Sequence, residues 1–175
     1  MIYVGIDPGA SGAIAIIDQD HHDAVLVKAH LTLGAAVAMP LDAEGGVDVL
    51  ALHKIFDGRM HPPTTIVVLE KAQAMPKNGS VSMFNYGKGV GRIEAFLRLG
   101  GWRFEEVRPT TWKKVVLKDT AKDKAATIDY VTRAFPGVSL LPTPRSKKPH
   151  DGMADALCLA EYGRRTYGAA AAPTS

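Results

Sequence analysis

The chain has 175 residues, 46% of them hydrophobic and 22% charged, with a formal net charge of +3. That describes an ordinary globular protein with enough chain for one domain and a sizeable core. It excludes a bilayer span, since no apolar run is long enough, and no basic-then-apolar leader opens the chain. Cys158 is the only cysteine, so an internal disulfide is excluded and a reducing cytoplasm is the expected compartment.

The charge is unevenly spread. Residues 1–74 carry 4 basic and 9 acidic side chains, whereas residues 108–148 carry 10 basic and 3 acidic. One part of the surface is therefore suited to a polyanion and another to something cationic, such as a metal. A solvated lysine-rich surface would give the same counts.

In chain order, residues 2–6 read as a buried strand and residues 12–18 as a second, joined by the turn Pro8-Gly9-Ala10-Ser11. Residues 24–31 read as a third, and such short connections require the three to be mutually antiparallel. Helical spacing follows from Val47 to Phe56, then an apolar strand over residues 65–70 that ends in Glu70. Residues 80–99 return to helical spacing, interrupted by Gly87, Gly89 and Gly91 and stopped by Gly100-Gly101. Residues 102–107 form another strand. Pro109 begins a new unit with Thr110 or Thr111 as caps, and helices follow over about 121–135 and about 151–167. The order β-β-β-α-β-α-β-α-α implies a mixed sheet covered by helices.

Acidic residues stand at the ends of these elements. Asp7 ends one apolar strand, Glu70 ends another, and Asp151 and Asp155 are four apart on one helix face. Clustered carboxylates need a cation or their pKa values rise, and an all-oxygen set suits Mg²⁺ or Mn²⁺. Each residue also has a plainer reading. Asp7 could form a turn, Glu70 could pair with Lys71, and Asp151 could cap its helix.

The strand "VGIDPGASGAIAIID", the strand "IVVLEKA" and the helix "HDGMADALCLAEYGRR" resemble the RuvC family of Holliday-junction resolvases, within the ribonuclease H-like superfamily. So do "SMFNYGKGVGRIEAFL" and "VRPTTWKKVV", which look most like the phage and chloroplast branches of that family. The resemblance spans about residues 2–165 in the right order. It implies a ribonuclease H-like mixed five-stranded sheet, its first three strands antiparallel, flanked by helices. It also implies a single nuclease domain over residues 1–168, with 169–175 as a disordered tail.

The resemblance further implies that Asp7, Glu70, Asp151 and Asp155 bind two Mg²⁺ ions per active site, with Mn²⁺ able to substitute, and carry catalysis. The family is homodimeric and nicks two strands of a four-way DNA junction symmetrically through metal-activated water, leaving 5′-phosphate and 3′-hydroxyl ends. The two-fold substrate suits a two-fold dimer. One departure stands out. The acidic pair of the last helix is often three residues apart in bacterial members and is four apart here. That leaves open whether His150 replaces or assists a ligand, or is a solvated loop residue. Lys148 is a further candidate for catalytic assistance. The implied setting is the cytoplasm of a bacterial or phage-infected cell, or an organelle, with no membrane partner.

Candidates for DNA contact are Lys77, Asn78, Ser80, Phe84, Tyr86, Lys88 and Arg92 in one stretch, and Lys113, Lys114, Lys118 and Lys122 in another, with Lys124 beside them. Arg145 and Lys147 precede the last helix. Lysine and arginine neutralise phosphates, and an aromatic such as Phe84 can stack on or wedge between bases. Phe84 could equally belong to a core or dimer interface, and Trp112 reads more readily as core than as a stacking platform. Competing functions are a nuclease of this scaffold acting on other branched DNA or RNA–DNA hybrids, and a non-catalytic junction binder. A sugar-kinase or actin-like ATPase also carries a turn like "GIDPGASG", but it needs two such domains and a longer chain.

Overall fold

Continuous apolar runs, buried on both faces of the sheet, build the centre of the molecule. A computed structural model describes residues 1–19, 36–57, 60–73 and 79–168. Its strands are β1 (Ile2–Asp7), β2 (Ala13–Asp18), β3 (Ala36–Ala38), β4 (Thr65–Glu70) and β5 (Arg103–Val107). Its helices are α1 (Val49–Phe56), α2 (Ser80–Leu99), α3 (Pro109–Val116), α4 (Lys124–Ala134) and α5 (Asp151–Tyr167). The expected strand over residues 24–31, the candidates Lys77 and Asn78, and the tail over 169–175 lie outside the described residues. Among the described residues no helix is long and apolar enough to cross a membrane.

The five strands form one mixed sheet in the order β3-β2-β1-β4-β5. β1 pairs antiparallel with β2, and β2 antiparallel with β3, while β4 and β5 run parallel to β1. The expected architecture therefore holds, although the strand that completes the antiparallel trio is Ala36–Ala38.

Alternation along the strands sorts side chains between two helical layers. Val4, Ile6, Val67 and Leu69 join a buried cluster with Leu52, Phe56, Ile93 and Leu97 of α1 and α2. Val68 and Val107 face the other way, into a cluster with Trp112, Leu117, Val131 and the buried face of α5. Asp7 and Glu70 occupy the same parity as Gly5 and Val68, so both fall on the α5 side. The parallel register pairs Ile6 with Leu69, which brings Asp7 and Glu70 next to each other at the ends of adjacent strands.

Two expectations at helix starts need correction. Thr110 and Thr111 do not cap α3. Arg108 takes the cap position, and Pro109, whose fixed φ suits a first turn, opens the helix. This makes three consecutive helices at the end of the chain where two were expected. α4 starts at Lys124 instead of residue 121, because the Asp123 side chain accepts a hydrogen bond from the Ala126 N–H. The glycines of α2 do not break it: the helix runs through Gly87, Gly89 and Gly91, with buried Gly89 against Val47.

Candidate active site

The β1–β2 turn, the start of α5 and the first turns of α2 enclose a cleft of about 860 Å³. Asp7, Asp151 and Asp155 line it, together with Tyr86, Lys124, Lys148 and His150. Glu70 stands behind them, close enough to couple electrically to Asp7 and Asp155.

Three of the four acids are short of compensation. Burial pushes the Asp7 carboxyl up to about 8, helped by the charges of Glu70 and Asp155 and opposed by Lys124 and Lys113. Glu70 is also raised by burial, with the Trp112 hydrogen bond pulling the other way. Asp155 is raised for the same first reason, while Lys113, Lys124 and the Thr127 hydroxyl oppose the shift. Asp151 is more exposed and holds an ion pair, its Oδ2 lying 2.6 Å from Lys124 Nζ.

The local geometry that assembles these groups is tight. Gly9 has φ of 114°, a left-handed conformation that favours glycine, and the Tyr86 ring lies 3.3 Å from where its Cβ would be. At Gly152 a Cβ would lie 2.5 Å from the Ser11 carbonyl oxygen and 3.0 Å from Asp7 Oδ2. The first turn of α5 can therefore approach Asp7 only because residue 152 has no side chain.

His150, and not Asp151, caps α5: its Nδ1 accepts a hydrogen bond from the Met153 N–H at 3.2 Å. The Nδ1 lone pair is thereby committed, and the neutral ring carries its proton on Nε2. In this arrangement the imidazole offers the cleft a donor, not a metal-binding lone pair. Glu70 does not pair with Lys71, which lies 3.8 Å from Glu106; its Oε2 accepts the Trp112 indole N–H at 2.8 Å.

Among the described residues no three His, Cys, Asp or Glu side chains already converge as a metal cage. The donor chemistry nonetheless fits Mg²⁺, which is held by one or two carboxylates and completed by waters and substrate phosphates. A desolvated, all-oxygen patch with raised carboxyl pKa values gains most from a hard cation.

The other sequence candidates are spread more widely. Ser80, Phe84 and Lys88 lie on the exposed side of α2, with Phe84 71% exposed. Arg92 is committed elsewhere: its Nη1 lies 2.7 Å from Asp42 Oδ2 and 2.9 Å from the Val47 carbonyl oxygen. Lys113 stacks its ammonium over the Trp112 ring at 5.0 Å, and its charge reaches Asp7, Glu70 and Asp155. Lys114, Lys118, Lys122, Arg145 and Lys147 are exposed and do not line the cleft. Sequence reasoning missed the Trp112–Glu70 bond and the Lys124–Asp151 pair. Both join residues remote in the chain, and no local pattern signals either.

No family model matches the chain, and no curated protein does. Two solved structures are similar over nearly the whole chain. One is T. thermophilus RuvC in complex with a Holliday junction substrate, with a TM-score of 0.57 at 17% identity, covering 98% of this chain and 97% of that one. The other is the Thermus thermophilus RuvC structure, with a TM-score of 0.54 at 17% identity, covering 97% and 96%. The strand order, the strand directions and this likeness together establish a ribonuclease H-like fold, shared with RuvC.

Proposed function

We propose that the chain is a metal-dependent endonuclease that resolves four-way DNA junctions, acting as a homodimer. The observation that carries this reading is the gathering of Asp7, Glu70, Asp151 and Asp155 beside one cleft of a ribonuclease H-like sheet. These four would hold two Mg²⁺ ions, or Mn²⁺ in their place. Bound there, the ions would supply Lewis acidity and a reactive water. In the hydrolysis, a water oxygen joins the phosphorus and the P–O3′ bond breaks. The strand is left with a 3′-hydroxyl and a 5′-phosphate.

The chain's own residues supply binding and orientation. Lys124 and Lys148 bring positive charge to the cleft wall, and His150 offers its Nε2–H. These are groups suited to phosphate oxygens. Phe84 projects from α2 on the side of Ser80 and Lys88, where an aromatic could stack on an unpaired base at the crossover. Likeness to a RuvC structure bound to a Holliday junction favours the four-way junction as substrate.

The test uses an end-labelled mobile four-way junction, a Y-fork and an RNA–DNA hybrid, each with Mg²⁺ and with EDTA. Paired symmetric nicks in the junction, dependent on Mg²⁺ and lost in Asp7→Asn while junction binding persists, are expected. Equal or better cutting of the hybrid or the fork would replace the substrate reading. Full cleavage by Asp7→Asn would remove the site.

A further inference from the structure

We infer that Trp112 is a positioning residue for the acidic site, setting the orientation of Glu70 from a helix that carries none of the four acids. The inference rests on the metal-site reading above.

The indole Nε1–H of Trp112 donates to Glu70 Oε2 at 2.8 Å, across 42 positions of sequence. Trp112 is fully buried, so its ring cannot swing away to water. It is held by α3, whose other inward residues, Val116 and the following Leu117, are buried in the same cluster. An indole N–H is a donor only. It can hold a carboxylate oxygen in place without competing with it for a cation, and it stabilises the charged form that a cation needs. Among the described residues no donor reaches the other oxygen of Glu70. One oxygen is thus pinned to the protein and the other is left for a ligand.

The same division of labour recurs along this side of the site. Lys124, at the start of α4, reaches Asp151, with its Nζ 2.6 Å from Oδ2. Residues of α3 and α4 therefore supply a donor to two of the acids, Glu70 of β4 and Asp151 of α5. Partners of this kind fix ligand direction, and their loss typically weakens metal binding about 10-fold or more. Of the two, Trp112 is the cleaner to test, because phenylalanine keeps the buried aromatic body and removes only the donor.

The experiment titrates Mg²⁺ into the DNA-free protein and follows binding by calorimetry and by thermal shift. Wild type, Trp112→Phe and Trp102→Phe are compared. Trp102 packs against Phe56 on the opposite face of the sheet and serves as the control for losing a tryptophan. A folded Trp112→Phe should need about 10-fold more Mg²⁺, with Trp102→Phe unchanged. An unchanged midpoint in Trp112→Phe beside a wild type that binds Mg²⁺ would overturn the inference and leave the metal site standing. A wild type that does not bind Mg²⁺ at all would overturn both.

A second measurement decides the matter if Trp112→Phe fails to fold. The chain has two tryptophans, so ¹⁵N labelling gives two indole N–H resonances, which Trp102→Phe tells apart. The Trp112 signal should move on adding Mg²⁺ and in Glu70→Gln, while that of Trp102 stays. A Trp112 signal indifferent to both changes would overturn the inference.

Discussion

Helix α5 carries two carboxylates six residues apart, Asp155 half-buried and Glu161 buried, and they meet opposite fates. Asp155 sits near its start, surrounded by other acids, with burial pushing its carboxyl above the usual range. Glu161 sits deeper, with only 3% of its side chain exposed. Burial would push it up too, but hydrogen bonds from Arg164 and Arg165 at 2.7–2.8 Å outweigh that and hold it below the usual range. Arg165 also reaches the Val115 carbonyl and the Tyr130 hydroxyl, so the network ties α5 to α3 and α4. One carboxylate is completed by the protein and serves the fold. The other, with its neighbours, is left incomplete, and a patch left incomplete at a stability cost is what a cation site requires.

The sharpest way to test this contrast is to neutralise one acid from each region. Asp7 holds its proton to about pH 8 when folded but releases it near 3.8 when unfolded. Between those values the unfolded state binds fewer protons, so the stability of the metal-free protein falls as pH rises through that window. Asp7→Asn removes the effect and should stabilise the metal-free chain by about 4 kcal/mol at pH 7, read by denaturant unfolding in EDTA across pH 4–8. No gain at pH 7 would mean that the acids at the cleft are already compensated.

Cation binding should recover what the wild type lacks. Saturating Mg²⁺, about a hundredfold above its dissociation constant, should stabilise the wild type by about 2.7 kcal/mol and Asp7→Asn far less. Melting curves with and without Mg²⁺ check this.

Glu161→Gln should behave in the opposite sense to Asp7→Asn. Losing the charge weakens both arginine contacts. Because each arginine side chain is about two-fifths exposed and can turn to water, the cost is about 2 kcal/mol. Junction cleavage should be unchanged, and a melt with a parallel cleavage assay reads both.

The smallest effect belongs to Lys124. Its pair with Asp151 is well exposed, with side chains 73% and 43% accessible. Lys124→Ala should therefore change stability by less than about 1 kcal/mol, measured by urea unfolding. A larger loss would make Lys124 a structural member of the acid patch, like the arginines at Glu161.

Much of this contrast could be read from the sequence. Continuous apolar runs put Asp7 and Glu70 at the ends of β1 and β4, and four-residue spacing put Asp151 and Asp155 on one face of α5. The apolar runs of β1, β2 and β4 left little choice of element, so those boundaries lie within a residue of expectation. α3 was harder, since it is an eight-residue helix whose start is set by Pro109 and not by a threonine cap. The role of His150 was open because histidine is not among the preferred capping residues, and only the Met153 contact reveals it. Trp112 with Glu70, Lys124 with Asp151, and Arg92 with Asp42 join residues 27 to 50 positions apart. Such pairs follow from how helices dock on the sheet, which no local spacing encodes.

The bare α-carbon of residue 152 also limits how this site can change. Shifting the carboxylate one position along, from 151 to 152, would put a side chain into the Ser11 carbonyl and against Asp7. The shorter spacing therefore cannot be reached by moving the first acid of the pair along α5 alone. It would require the β1–β2 turn to be rebuilt in concert, so helix register and turn shape are inherited together as one unit.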